Sequence, residues 1–149
     1  MQPETTIRLA QECKNIVGFK AASGNIDQIK RLIDNKPDTL DVLSGDDGLT
    51  YDIMKAGGVG VISVFGNVYP KQCVELIRLL QQEKYDEAKA LSDSYAEIFK
   101  LLFVDGNPAG AKAQLANLGY VKNVLRLPLI PASTEVCEAL GKACENLTI

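Results

Sequence analysis

Three short runs of β-branched and apolar residues punctuate the first half of the chain: residues 15–19 (NIVGF), 40–43 (LDVL) and 59–64 (VGVISV). Between them the apolar positions change period. Ile26, Ile29 and Ile33 follow the first run, and Leu49, Ile53 and Ala56 the second, at the three- to four-residue spacing of one helix face. Each predicted helix has a start signal. Asn25 with Gln28 three positions on predicts a capping box, and Asp46 or Asp47 supplies the next cap. The pair Gly57-Gly58 predicts a left-handed C-cap. A further helix over Pro3–Glu12, with Pro3 in its first turn, precedes the first run.

Strands that alternate with helices in this way imply right-handed crossovers and a parallel sheet, whose strands are buried on both faces and so read as continuous apolar runs. From Pro70 onward only helical periods remain. Cys73, Leu76, Ile77 and Leu80 share one face, and Ala88, Leu91, Tyr95, Ile98 and Leu102 form a second stripe. Another helix is predicted over residues 108–118. After the LRLPLIP segment at 125–131 comes a last one, capped by Ser133, with Val136, Leu140 and Ala143 inward. The chain therefore divides into an α/β part, residues 1–69, and a helical part, residues 70–149. Three parallel strands cannot close a barrel, and the α/β part is too short for an open sheet with both faces covered.

Composition narrows the function. With 149 residues, 46% hydrophobic and 23% charged, the chain has the make-up of an ordinary globular domain. Its net charge of -3 is spread without a basic block, which argues against a nucleic-acid partner or a polybasic membrane patch. The longest uncharged apolar stretch, residues 59–69, falls short of the roughly 20 residues that span a bilayer. Residues 1–10 carry no signal-peptide core, so a cytoplasmic location is expected. Four cysteines occur without a CxxC pair, and no histidine is present to complete a zinc site or a Ser-His or Cys-His nucleophile. Buried free thiols are the expected state. Cys137 and Cys144, seven residues apart on one helix, are about 10 Å apart, too far for a disulfide.

Lys20 ends the first apolar run, at the carboxyl edge of a parallel sheet, where α/β enzymes place their sites. An amine desolvated there has its ammonium form disfavoured and becomes available to attack a ketone. Taken alone, a lysine at a strand end reads first as a solvated or ion-paired structural residue, since perturbed amines are the minority case. Two further turns sit at equivalent points, Ser44-Gly45-Asp46-Asp47 and Phe65-Gly66-Asn67. Asp46 and Asp47 read as helix caps or as a catalytic carboxylate pair. Ser23-Gly24 and Gly57-Gly58 are loop bends and C-caps before they are phosphate cradles.

The string Gly18-Phe19-Lys20-Ala21-Ala22-Ser23-Gly24 resembles the imine-forming strand of the dihydrodipicolinate synthase and N-acetylneuraminate lyase family. The likeness continues through Val42-Leu43-Ser44-Gly45-Asp46-Asp47, Gly57-Gly58-Val59-Gly60-Val61-Ile62-Ser63-Val64, Gly106-Asn107-Pro108 and Leu125-Arg126-Leu127-Pro128-Leu129. It spans essentially the whole chain but matches only the family's second half. It implies the C-terminal part of a (β/α)8 TIM barrel, three parallel strands (six to eight) with helices, followed by an all-helical C-terminal appendage. About five further βα units are then expected upstream.

By this resemblance Lys20 would form an imine with pyruvate, and the backbone around Gly45 and Ile62 would border the bound keto acid. No metal and no cofactor is implied. The Asn-Pro and Leu-Arg-Leu-Pro-Leu segments point to the dihydrodipicolinate synthase branch, in which pyruvate condenses with aspartate semialdehyde in the diaminopimelate route of lysine biosynthesis. Ala21 departs from that branch, which usually carries Glu there, so a sialic acid or 2-keto-3-deoxy sugar acid lyase stays open. A non-catalytic half-barrel that self-associates is a reading from another class. The family's catalytic tyrosine and carboxylate-binding threonine pair lie in the half this chain does not match. Tyr51, Tyr69, Tyr85, Tyr95 and Tyr120 are therefore expected to pack with their hydroxyls at the surface. The family resemblance further implies a homo-oligomer, a homotetramer when the barrel is whole.

Overall fold

The computed structural model describes residues 1–144 and Leu147. Helix α1 (Pro3–Glu12) leads into β1 (Gly18–Ala21), α2 (Ile26–Asn35) and β2 (Asp41–Ser44). A 3-10 turn (Asp47–Leu49) then runs into α3 (Thr50–Lys55), followed by β3 (Gly60–Val61) and α4 (Phe65–Val68). Helices α5 (Pro70–Gln81), α6 (Tyr85–Leu101), α7 (Ala109–Asn117) and α8 (Thr134–Cys144) complete the order. The sheet is parallel with order β1-β2-β3. Its register sets Gly18 opposite Asp41, Lys20 opposite Leu43, and Leu43 opposite Gly60.

The predicted alternation of strands and helices is present, with strand limits that differ for physical reasons. β1 begins at Gly18 rather than residue 15, because Ile16 N–H closes a turn onto Cys13 O and the first interstrand bond runs from Asp41 N–H to Val17 O. The predicted run 59–64 holds only two strand residues. After Ile62 N–H reaches Ser44 O, the carboxylate of Asp47 takes the next free amides, those of Val64 and Phe65, and turns the chain into α4.

The caps follow the sequence closely. Asn25 Oδ1 accepts the Gln28 N–H at 3.0 Å, but the Gln28 side chain bonds to Gln2 rather than closing the box. At the end of α3, Gly57 N–H donates to Met54 O and Gly58 N–H to Ile53 O, the paired bonds of a Schellman motif, with Gly57 at φ 110°. Ser133 donates both its N–H and its Oγ–H to Asp105 Oδ2, and its Oγ accepts from Val136 N–H at the start of α8. The peptide bonds Asn107-Pro108 and Leu127-Pro128 are cis.

Two apolar cores result. The first lies between one sheet face and α1 to α3, where Ala21 and Val42 meet Ala10, Ile29, Leu32, Leu40 and Ile53. The second belongs to the helical run and centres on Phe65, whose ring lies 5.0 Å from Tyr69, 5.1 Å from Tyr95 and 5.0 Å from Phe99. Tyr51 and Met54 of α3 also join it, so the helical layer grips the α/β part through α3 and α4. Aromatic pairs in this geometry add about 0.5–1.5 kcal/mol each beyond burial. The inward stripes are as predicted for Leu76, Leu80, Ala88, Tyr95, Ile98, Leu102, Val136, Leu140 and Ala143.

Two expectations change. Tyr69 does not carry its hydroxyl to the surface: it is 1% exposed, its Oη accepts from Gln114 Nε2 at 2.6 Å, and burial pushes its ionisation well above the ordinary range. Of the four cysteines, all free, only Cys144 is buried, and Cys13, Cys73 and Cys137 are half-buried. Among the described residues no helix is long and apolar enough to cross a membrane.

Candidate active site at the carboxyl edge of the sheet

Alternation along the strands decides which side chains face which layer. Phe19 and Ala21 of β1 turn toward the helices, and Lys20 between them turns to the opposite face. There Lys20 is exposed, contrary to the expectation of a dry amine, because among the described residues that face of β1 carries no covering element.

Lys20 and Gly45, two of the three residues expected at the site, are in direct contact. Gly45 follows β2 and its N–H donates to Ala21 O at 2.7 Å. A Cβ built on Gly45 would sit 2.8 Å from Lys20 Cε, 2.9 Å from Lys20 Cγ and 2.8 Å from Ala22 Cβ. The stem of Lys20 therefore lies across position 45, and only glycine leaves room for it. Ile62, the third, stands one strand further on, 48% exposed, with its N–H committed to Ser44 O at 2.8 Å. Since both amides are spent on the sheet, Gly45 and Ile62 can offer a ligand only their carbonyl oxygens and apolar surface.

Beneath these positions lies a buried polar frame. Ser44, fully buried, donates its hydroxyl to Asp46 O and receives one from Thr50 at 3.1 Å. Asp46 caps the 3-10 turn by accepting Gly48 N–H at 3.0 Å. Asp47 is 5% exposed and caps a different element: Oδ1 accepts the Ser63 hydroxyl, and Oδ2 accepts the N–H groups of Val64 and Phe65. The two aspartates are thus caps of two separate segments, not a carboxylate pair facing one substrate.

A groove of about 760 Å3 opens beside Gly45, between the loops after β1 and β2 and helix α6. Ala22, Gly45 and Asp46 form one wall, and Ser92, Phe99 and Lys100 stand on the other. No sequence motif marks this α6 wall. Its only signal is a second stripe on the helix, Ser92, Ala96 and Phe99, continued by Phe103 just past its end, alongside the predicted buried stripe. Among the described residues no group of His, Cys, Asp or Glu side chains is arranged to hold a metal ion.

Comparison with known proteins follows the same outline. Residues 1–147 match the model of the dihydrodipicolinate synthetase family. The 4-hydroxy-tetrahydrodipicolinate synthase of Parabacteroides distasonis is 46% identical over 149 residues, covering 100% of this chain and 50% of the relative. That of Thermosipho melanesiensis is 39% identical over 147 residues, covering 99% and 51%. The crystal structure of dihydrodipicolinate synthase from Thermotoga maritima superposes with a TM-score of 0.93 at 39% identity, over 97% of this chain and 50% of that one. The Aquifex aeolicus enzyme superposes with a TM-score of 0.92 at 35% identity, over 97% and 49%. The chain spans about half the length of the relatives it matches, and the family match over residues 1–147 with 46% identity to a curated relative shows that it belongs to the dihydrodipicolinate synthetase family.

Proposed function

We propose that this chain supplies the imine-forming part of a class I, Schiff-base lyase that uses pyruvate, of the dihydrodipicolinate synthase type. On this reading it corresponds to the C-terminal half of the (β/α)8 barrel, with residues 1–69 as strands six to eight and residues 70–149 as the helical appendage. Five motifs in the family's order and the purely helical run after β3 support that placement.

The observation that carries the function is the packing of Lys20 across Gly45 at the carboxyl edge of the sheet, where Gly45 also lines the groove. In its neutral form the Lys20 amine attacks C2 of pyruvate, and loss of water leaves an imine. The imine is an electron sink, so a base can remove a methyl proton, and the resulting enamine carbon attacks an aldehyde, here aspartate semialdehyde. Gly45 and Ile62 border the keto acid, and the groove toward α6 leaves space for the aldehyde. The acid-base group for these steps and the cover that would dry Lys20 belong to the half of the family barrel that this chain does not match.

Incubation of the complete barrel with pyruvate and borohydride, followed by peptide mass spectrometry, tests this reading. A reduced pyruvate adduct is expected on Lys20 and is absent in Lys20→Arg. An adduct elsewhere, or none, refutes it. Cytoplasmic location and assembly into homotetramers follow from the same family reading.

A second reading rests on the outer edges of β1 and β3, each paired on one side only, and on the uncovered Lys20 face. Such edges favour pairing between copies. A stable oligomer of this chain alone, with no adduct, would favour a non-catalytic half-barrel. Ala21 keeps a sugar acid lyase as the alternative substrate class, and comparing aldehyde products decides between them.

A further inference from the structure

We infer that Asp47 is a positioning residue for the keto-acid pocket, fixing the backbone of residues 62–65 without touching the ligand. The inference rests on the reading above that Ile62 borders a keto acid held by Lys20. Asp47 is 5% exposed, and all three of its donors are neutral: the Ser63 hydroxyl, Val64 N–H at 3.0 Å and Phe65 N–H at 2.9 Å. Ser63 Oγ in turn accepts Gly66 N–H at 2.7 Å. On the other side of this loop, Ile62 N–H is tied to Ser44 O at 2.8 Å. Ile62 therefore stands between a sheet hydrogen bond and a carboxylate clamp, and has little freedom to shift along the pocket.

Three donors on one side chain are more than strand termination requires. A buried carboxylate is costly to desolvate, and a short neutral side chain can cap a single turn. What the carboxylate adds is two oxygens that accept three hydrogen bonds at once. They converge on the segment just after Ile62, from a residue 16 to 18 positions away in sequence. The same loop ends in Phe65, the centre of the aromatic core, so the clamp also couples pocket geometry to the helical layer.

The test measures, in the complete barrel, the concentration of pyruvate and of the larger 2-oxobutyrate that half-saturates borohydride trapping on Lys20. Asp47→Ala removes all three hydrogen bonds, and Ser63→Ala removes one of them, together with the acceptor of Gly66 N–H, while leaving the Val64 and Phe65 amides bonded to Asp47. Both are expected to need more pyruvate, roughly tenfold for Asp47→Ala and less for Ser63→Ala, and to change the ratio between the two keto acids. Asp47→Asn keeps an acceptor for the two amides, with its NH2 donating to Ser63 Oγ, and should shift less than Asp47→Ala. Lost stability alone would lower the amount of active protein without moving the ratio. A folded Ser63→Ala protein with wild-type half-saturation and wild-type ratio overturns the inference, also where Asp47→Ala fails to fold. Wild-type protein that forms no adduct overturns the imine chemistry itself, an outcome distinct from an adduct with unchanged selectivity.

Discussion

Replacing Gly45 by alanine asks whether the contact with Lys20 is a matter of packing or of chemistry. The added methyl would lie 2.8 Å from both Lys20 Cε and Ala22 Cβ, and 2.9 Å from Lys20 Cγ. Carbon atoms at rest prefer about 3.5–4.0 Å, so the overlap is about 1 Å and something must move. Ala22 is short and held by the backbone, whereas the Lys20 side chain is long and exposed, so Lys20 yields first. The stability cost is then modest, about 1–3 kcal/mol as for other overpacked sites. The chemical cost is larger, because a displacement of about 1 Å at a reacting group reduces rate by roughly 100-fold. Gly45→Ala in the complete barrel should melt a few degrees below wild type, yet form the borohydride-trapped adduct on Lys20 about 100-fold more slowly. A variant that traps pyruvate at the wild-type rate while folded would refute the placement of Lys20 across position 45. One that simply fails to fold would show that Ala22, not Lys20, bears the overlap.

Tyr69→Phe leaves Gln114 Nε2, on a residue with no exposed surface, without its acceptor and should cost about 1–3 kcal/mol by chemical denaturation. A loss below a few tenths would mean the bond is not formed. Because Tyr69 stays protonated in the folded state above its ordinary value of 10.0, the unfolded chain loses that proton first. Stability should fall as pH rises from about 10 upward, and less steeply in Tyr69→Phe. Asp105, held below its ordinary 3.8 by the Ser133 hydroxyl and then the Ser133 amide, has the opposite sign. Its contribution is present above that value and fades as pH drops through the lower folded value. Asp105→Asn should therefore melt below wild type at neutral pH and converge with it in acid, and a gap that persists in acid would exclude the carboxylate as the cause.

The period of the apolar residues was enough to place the alternation of strands and helices, the switch to helices after Pro70, and the inward stripes of α5, α6 and α8, because burial repeats with the geometry of the element. Local rules likewise located Asn25, Gly57 and Ser133 at helix ends, since caps are made by neighbours in sequence. The Lys20 string and the Gly45 turn were legible as motifs. Strand ends were not, because they depend on partners far along the chain: Val17 O pairs with Asp41, and Asp47 takes the amides that end β3 seventeen and eighteen residues later. The same holds for Tyr69, whose hydroxyl is claimed by Gln114 45 positions away, and for the α6 wall of the groove. Sequence by itself determined the alternation of strands and helices, its order along the chain and the motif that contains Lys20, though it read residues 65–67 as a turn where the structure has α4. Only the tertiary structure decided that Lys20 lies across Gly45, that Asp46 and Asp47 serve different segments, and which face of the sheet is open, since each depends on contacts no local pattern encodes.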